Sequence, residues 1–94
     1  MLVATCVIVL RLDGVYSLKD KRSIVKSLTT RLGRQFNLSV AEVDYQDTWH
    51  QAAIGLAAVG NDAGHLHSLL EKAVAWVGST RPDVPIDDYI IEFR

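Results

Sequence analysis

The sequence predicts an α+β fold in which two helices cover one face of a four-stranded antiparallel sheet. Three observations point there. Apolar residues recur at the 3.6-residue period in two separate segments, Leu18 to Phe36 and Leu66 to Val77. Shorter runs, alternating or rich in β-branched residues, precede, separate and follow those segments. The chain has 94 residues, 22% charged and 49% apolar, which suits a single domain (1–94) with one modest core.

Leu2 to Leu12 is apolar on both alternate faces, the pattern of a central strand covered on both sides. Asp13-Gly14-Val15-Tyr16 is a turn, and Ser17 then reads as a helix N-cap with Asp20 three residues on in the capping-box position. Leu18, Val25, Leu28, Leu32 and Phe36, with Ile24 beside them, form one face of an amphipathic helix, and Gly33 and Asn37 mark its end. Leu38 to Tyr45 reads as a second strand and Gln46-Asp47-Thr48 as a hairpin connection. Trp49 to Val59 follows as a third strand, with Ala52, Ile54, Leu56 and Ala58 on one face and the small Ala53, Gly55 and Ala57 on the other. Asp62 caps a second helix whose Leu66, Leu69, Leu70, Ala73, Val74 and Val77 point inward. Gly78 to Pro85 reads as a loop and Ile86 to Phe93 as a last strand. Two right-handed crossovers in this order give a ferredoxin-like βαββαβ sandwich.

Charge is unevenly placed along the chain. Residues 1–36 carry seven basic and two acidic side chains, a net of +5, whereas residues 37–94 carry three basic and nine acidic, a net of −6. The basic half concentrates in Ser17-Leu18-Lys19-Asp20-Lys21-Arg22, where cations sit at a helix start that normally favours acids. Clustered cations beside unpaired N–H groups suit an anion such as a phosphate, so Ser17, Lys19, Lys21, Arg22 and Lys26 are the candidate anion- or RNA-binding residues. Lys19, Arg22 and Lys26 share one solvent-facing stripe. Lys21 falls on the apolar face instead; its stem is expected to cover the core edge while the ammonium emerges beside the Asp13–Ser17 turn or pairs with an acidic neighbour. Arg11, at the exit of the first strand, is expected near the same region.

Other chemistry is poorly supplied. One cysteine, Cys6, excludes an intrachain disulfide and a cysteine-based zinc site. Glu42, Asp44, Asp47 and His50 cluster around the second hairpin, but exposed hairpin carboxylates are commoner than metal ligands, and no metal or cofactor is expected. His65 and His67 are two apart on a helix and point to different sides, and Trp49 and Trp76 are expected in or near the core. The opening apolar run lacks the basic flank of a targeting segment and is too short to span a bilayer, so no membrane association is expected. RNA-recognition modules of this fold stack bases on aromatic residues of the central strands, and the third strand offers none. Acylphosphatase chemistry is not supported either, since Gly14 to Lys19 holds no arginine and the third strand no asparagine.

The runs Ser17-Leu18-Lys19-Asp20-Lys21-Arg22-Ser23 and Phe36-Asn37-Leu38-Ser39-Val40-Ala41-Glu42-Val43, with Trp49 and Ala53-Ile54-Gly55, resemble the YlxP-like family of small bacterial proteins of unknown function. The resemblance covers essentially the whole chain. It implies a ferredoxin-like fold, a bacterial cytoplasmic protein, and a genomic neighbourhood of translation-initiation and ribosome-maturation proteins. The functional expectation is a small binding module, not an enzyme, that contacts RNA phosphates or the ribosome through the basic start of its first helix. The alternatives are a module with an acidic protein partner and, less favoured, a binder of a small phosphorylated ligand. The small side chains opposite the helices predict a homodimer through that sheet face.

Overall fold

The computed structural model describes residues 1–94. Its elements are β1 (Leu2–Arg11), α1 (Leu18–Gln35), β2 (Ser39–Asp44), β3 (Gln51–Gly60), α2 (Ala63–Thr80) and β4 (Ile86–Phe93). The strands form one sheet in the order β2-β3-β1-β4, every neighbouring pair antiparallel. This is the ferredoxin-like arrangement that the hydrophobic pattern predicts.

Register explains where the core lies. Ala4, Cys6, Ile8 and Leu10 of β1 stand opposite Ala58, Leu56, Ile54 and Ala52 of β3. All eight are buried, because opposed residues share a face and this face lies under the helices. Val25, Leu28 and Leu32 of α1 and Leu66, Leu70, Ala73 and Val77 of α2 close the core from above. Neither helix is long and apolar enough to cross a membrane.

Both N-caps form as the sequence predicts. Ser17 Oγ accepts the Asp20 N–H at 3.1 Å, and Asp62 Oδ1 accepts the His65 N–H at 3.1 Å. The first helix ends where the apolar repeat predicts, at Gln35, and the second runs two residues past Gly78, which the sequence reads as the start of a loop. Gly33 lies inside α1 and Gly78 inside α2. A helical glycine costs only about 1 kcal/mol against alanine, less than the packing of the flanking Leu32 and Val77 returns. The helices end where the Phe36 N–H bonds Leu32 O and the Arg81 N–H bonds Val77 O. Beyond α2, the Arg81 guanidinium grips Asp83 with two hydrogen bonds of 2.9 and 2.7 Å. That contact holds the Asp83 carboxyl below its usual range and pushes Arg81 up.

The β2–β3 hairpin is wider than predicted. Trp49 and His50 precede β3, and Trp49 is exposed on the connection instead of packed in the core. Pairing shifts by one residue between Glu42 and Asp44, a bulge that leaves Val43 leaning across β3. A Cβ placed on Gly55 would lie 2.7 Å from Val43 Cγ1, so glycine is required at that crossing.

Candidate functional site

The outer face of α1 is where cations gather. Lys19, Arg22, Lys26, Arg31 and Arg34 are all exposed on it. None has a carboxylate oxygen within 4 Å, since every ion pair in the molecule involves other basic groups. From Lys19 to Arg34 the helix rises ~22 Å. Ser23, Ser27 and Thr30 lie among the cations, and with Lys26, Arg31 and Arg34 they line a shallow polar groove of about 380 Å³. The groove is thus lined by guanidinium, ammonium and hydroxyl groups alone.

Arg31 is the best positioned of these cations. Its guanidinium carbon lies 5.4 Å from the centroid of the Trp76 ring, a cation–π contact. Trp76 is in turn held edge-on by Phe36, at 6.2 Å between centroids and 84° between planes. Trp76, half-buried against the core, therefore links α2 to the cationic face of α1.

The predicted site residues divide. Lys19, Arg22 and Lys26 lie on the open stripe, and Ser17 is half-buried with its hydroxyl committed to the cap. Of the two expectations for Lys21, the pairing with an acidic neighbour holds and the emergence beside the turn does not. It is 1% exposed, its Nζ sits 3.1 Å from Glu42 Oε2, and it donates to the Tyr45 carbonyl. The ammonium never reaches the Asp13–Ser17 turn. It is drawn under the sheet edge because Glu42, on the helix side of β2, is the anion its position on the apolar face can meet. Glu42 Oε2 has no well-directed hydrogen bond, so the adjacent ammonium is what compensates its burial. Tyr45 takes a left-handed backbone conformation (φ 60°), which turns its carbonyl to Lys21 while Asp44 Oδ1 accepts the Tyr45 N–H. Lys21 is thus a fixed internal tie, unavailable to an external anion.

Arg11 also stands apart. It lies at the C-terminal end of β1, where Asp13 and Asp87, each at 3.0 Å, engage its guanidinium. Conversely, Arg31 and Arg34 belong to the cationic face although the sequence reading stopped at Lys26. They lie five and eight residues beyond Lys26, and that spacing along one helix is the signal in the sequence.

The remaining candidates do not converge on a reactive centre. Glu42 turns inward to Lys21 while Asp44 serves the Tyr45 amide, so the hairpin acids do not form a cluster, and no three His, Cys, Asp or Glu side chains gather as ligands. His65 and His67 are surface residues, with His67 Nε2 3.7 Å from Glu71. Burial, with Glu71 adding to it, pushes the Cys6 thiol up to about 11, so it stays protonated near neutral pH. The Tyr89 hydroxyl, which donates to Glu71 Oε2 at 3.0 Å, is raised by that bond.

Comparison with known proteins gives a family and no activity. Over 63 residues, 67% of this chain and 68% of the relative, it is 38% identical to the uncharacterized protein YlxP of Bacillus subtilis (strain 168). Residues 3–89 match the family described as "Protein of unknown function (DUF503)". The chain belongs to the DUF503 family.

Proposed function

We propose that this protein is a cytoplasmic RNA-backbone-binding module that works through the outer face of α1 and catalyses no reaction. The observation that carries the reading is the set of five exposed cations on one helix, all without carboxylate partners. Exposed basic residues in a mixed surface usually find acidic neighbours at little energetic gain. An unpaired row gains most from a polyanion, whose bound counterions it releases. The interspersed hydroxyls of Ser23, Ser27 and Thr30 offer donors and acceptors to phosphate and to the ribose 2′-OH. Resemblance to a family neighbouring translation genes favours RNA among polyanions.

Contact through the helix also fits the open face of the sheet. Val7, Val9, Ala53, Gly55 and Ala57 occupy its centre, with no aromatic ring on which a base would stack. Binding is therefore expected to follow the backbone, with little sequence preference.

The test is fluorescence anisotropy with a labelled RNA of about 20 nucleotides at low salt. The unsubstituted chain is expected to bind, and Arg22→Ala/Lys26→Ala/Arg31→Ala to bind at least ~10-fold more weakly. In a Trp49→Phe background, Trp76 emission should change on binding, because its ring lies under Arg31. No RNA binding at low salt, or equal binding by a folded triple variant, would overturn the reading.

A further inference from the structure

The face of the sheet opposite the helices is uncovered, and its composition is unusual for a solvated surface. Side chains alternate along each strand, so Val3, Thr5, Val7 and Val9 of β1 and Ala53, Gly55, Ala57 and Val59 of β3 share this face. Ser39, Ala41 and Val43 extend it across β2, and Ile90 extends it across β4. Its charged groups, Asp88, Glu92 and the Arg11 cluster, keep to β4 and the strand ends, while the middle carries none.

The relief of the face is self-matching. A largely apolar hollow of about 450 Å³ lies over Thr5, Ala41, Gly55 and Ala57, with Glu92 and Arg94 on its β4 side. Val7, Val43, Val59 and Ile90 rise around it, each between 39% and 66% exposed. The hollow exists because the bulge at Val43 requires a glycine at position 55 and small residues flank it. One surface thus presents both aliphatic knobs and a hollow lined by small side chains, which is the requirement of a two-fold, isologous contact.

We propose that two copies of this chain pair face to face through these sheets. A second copy has the same handed twist, so the two sheets can stack aligned at about 30° with their side chains interdigitated. The 34 residues of the four strands, at ~3.3 Å per residue and ~4.8 Å between strands, present roughly 540 Å² in projection, hence about 1,100 Å² for two copies, just above the ~1,000 Å² that a specific interface should clear. A surface of that extent fits a sheet better than it fits a compact ligand, and the two charges beside the hollow, Glu92 and Arg94, lie 3.9 Å from each other, which leaves no single-sign patch for an acidic or basic partner.

The experiment is mass measurement by sedimentation equilibrium at about 50 µM, within reach of the micromolar affinity such an area can give. The expected mass is twice the 10.4 kDa of the chain. Val7→Lys and Thr5→Lys each place an ammonium in the interface and should weaken self-association at least ~10-fold, with Arg31→Glu on the opposite side leaving it unchanged. A dilution series on the unsubstituted chain, followed by methyl NMR, should shift the Val7, Val43 and Ala57 signals and leave core Leu28 and Val77 in place. This reports the face even where a lysine variant fails to fold. A single-chain mass at this concentration, a dimer that survives in folded Val7→Lys, or shifts confined to the helices would each overturn the proposal.

Discussion

Lys21 and Cys6 are the two polar or ionisable side chains most deeply enclosed in this molecule, and they behave oppositely. Lys21 is received by Glu42 and the Tyr45 carbonyl. Removing its charge strands a carboxylate beneath the sheet edge. Lys21→Met, which keeps the stem, should therefore lower stability by about 2–3 kcal/mol in urea denaturation, and adding Glu42→Gln should recover part of that loss. The same variant should bind RNA as the unsubstituted chain does, since the ammonium does not reach the outer face of α1. Cys6, by contrast, is kept neutral. Its thiol is raised from 9.0 to about 11, so between those values the unfolded chain loses a proton that the folded one keeps. Stability should accordingly fall as pH rises from 9 to 11, and Cys6→Ala should flatten that slope, as followed by thermal melts across the range. Of these two residues the sequence shows only half. Lys21 is visibly misplaced on an apolar face, but its partner lies 21 residues away on β2 and is fixed by a bulge that no local pattern announces.

Strands and helices were largely legible because each carries a single period. The alternation in β3 and the 3.6-residue repeat in α1 place the buried residues correctly, and Ser17 and Asp62 cap their helices as their side-chain chemistry dictates. Boundaries were less legible where glycine was taken as a stop. Gly33 and Gly78 lie within helices because the packing of the adjoining Leu32 and Val77 outweighs a small propensity cost. Gly55 shows the opposite case, where its lack of a Cβ matters. Gly55→Ala should cost about 1–2 kcal/mol by displacing Val43, and Gly55→Ala/Val43→Ala should cost less than the sum of its single changes, as measured in a double-mutant cycle of denaturation free energies. The helix that carries the candidate site was predicted, but its functional extent was not. A cationic face becomes apparent only when Arg31 and Arg34 are seen to continue the Lys19–Lys26 stripe and when the ion-pair pattern leaves all five unmatched.

For the molecule as a whole, the near-zero net charge conceals a strong separation of sign. The first 36 residues carry +5 and the remainder −6. RNA binding by the positive part should be steeply salt-dependent. Four or five backbone contacts predict a slope of log K on log salt near −3 for single-stranded RNA, and each alanine on α1 should reduce its magnitude by about 0.7. A shallow slope in an anisotropy titration from low to moderate salt would point to contacts of another kind. Placing both helices on one side of the sheet has a further consequence. When two sheets meet, their cationic helices are carried to opposite exteriors, so one rigid RNA segment cannot engage both at once. The pair then has a valence of two with the sites facing apart: it joins separate segments, or distant parts of one folded RNA, and gains avidity only where the RNA itself brings two backbones to either side.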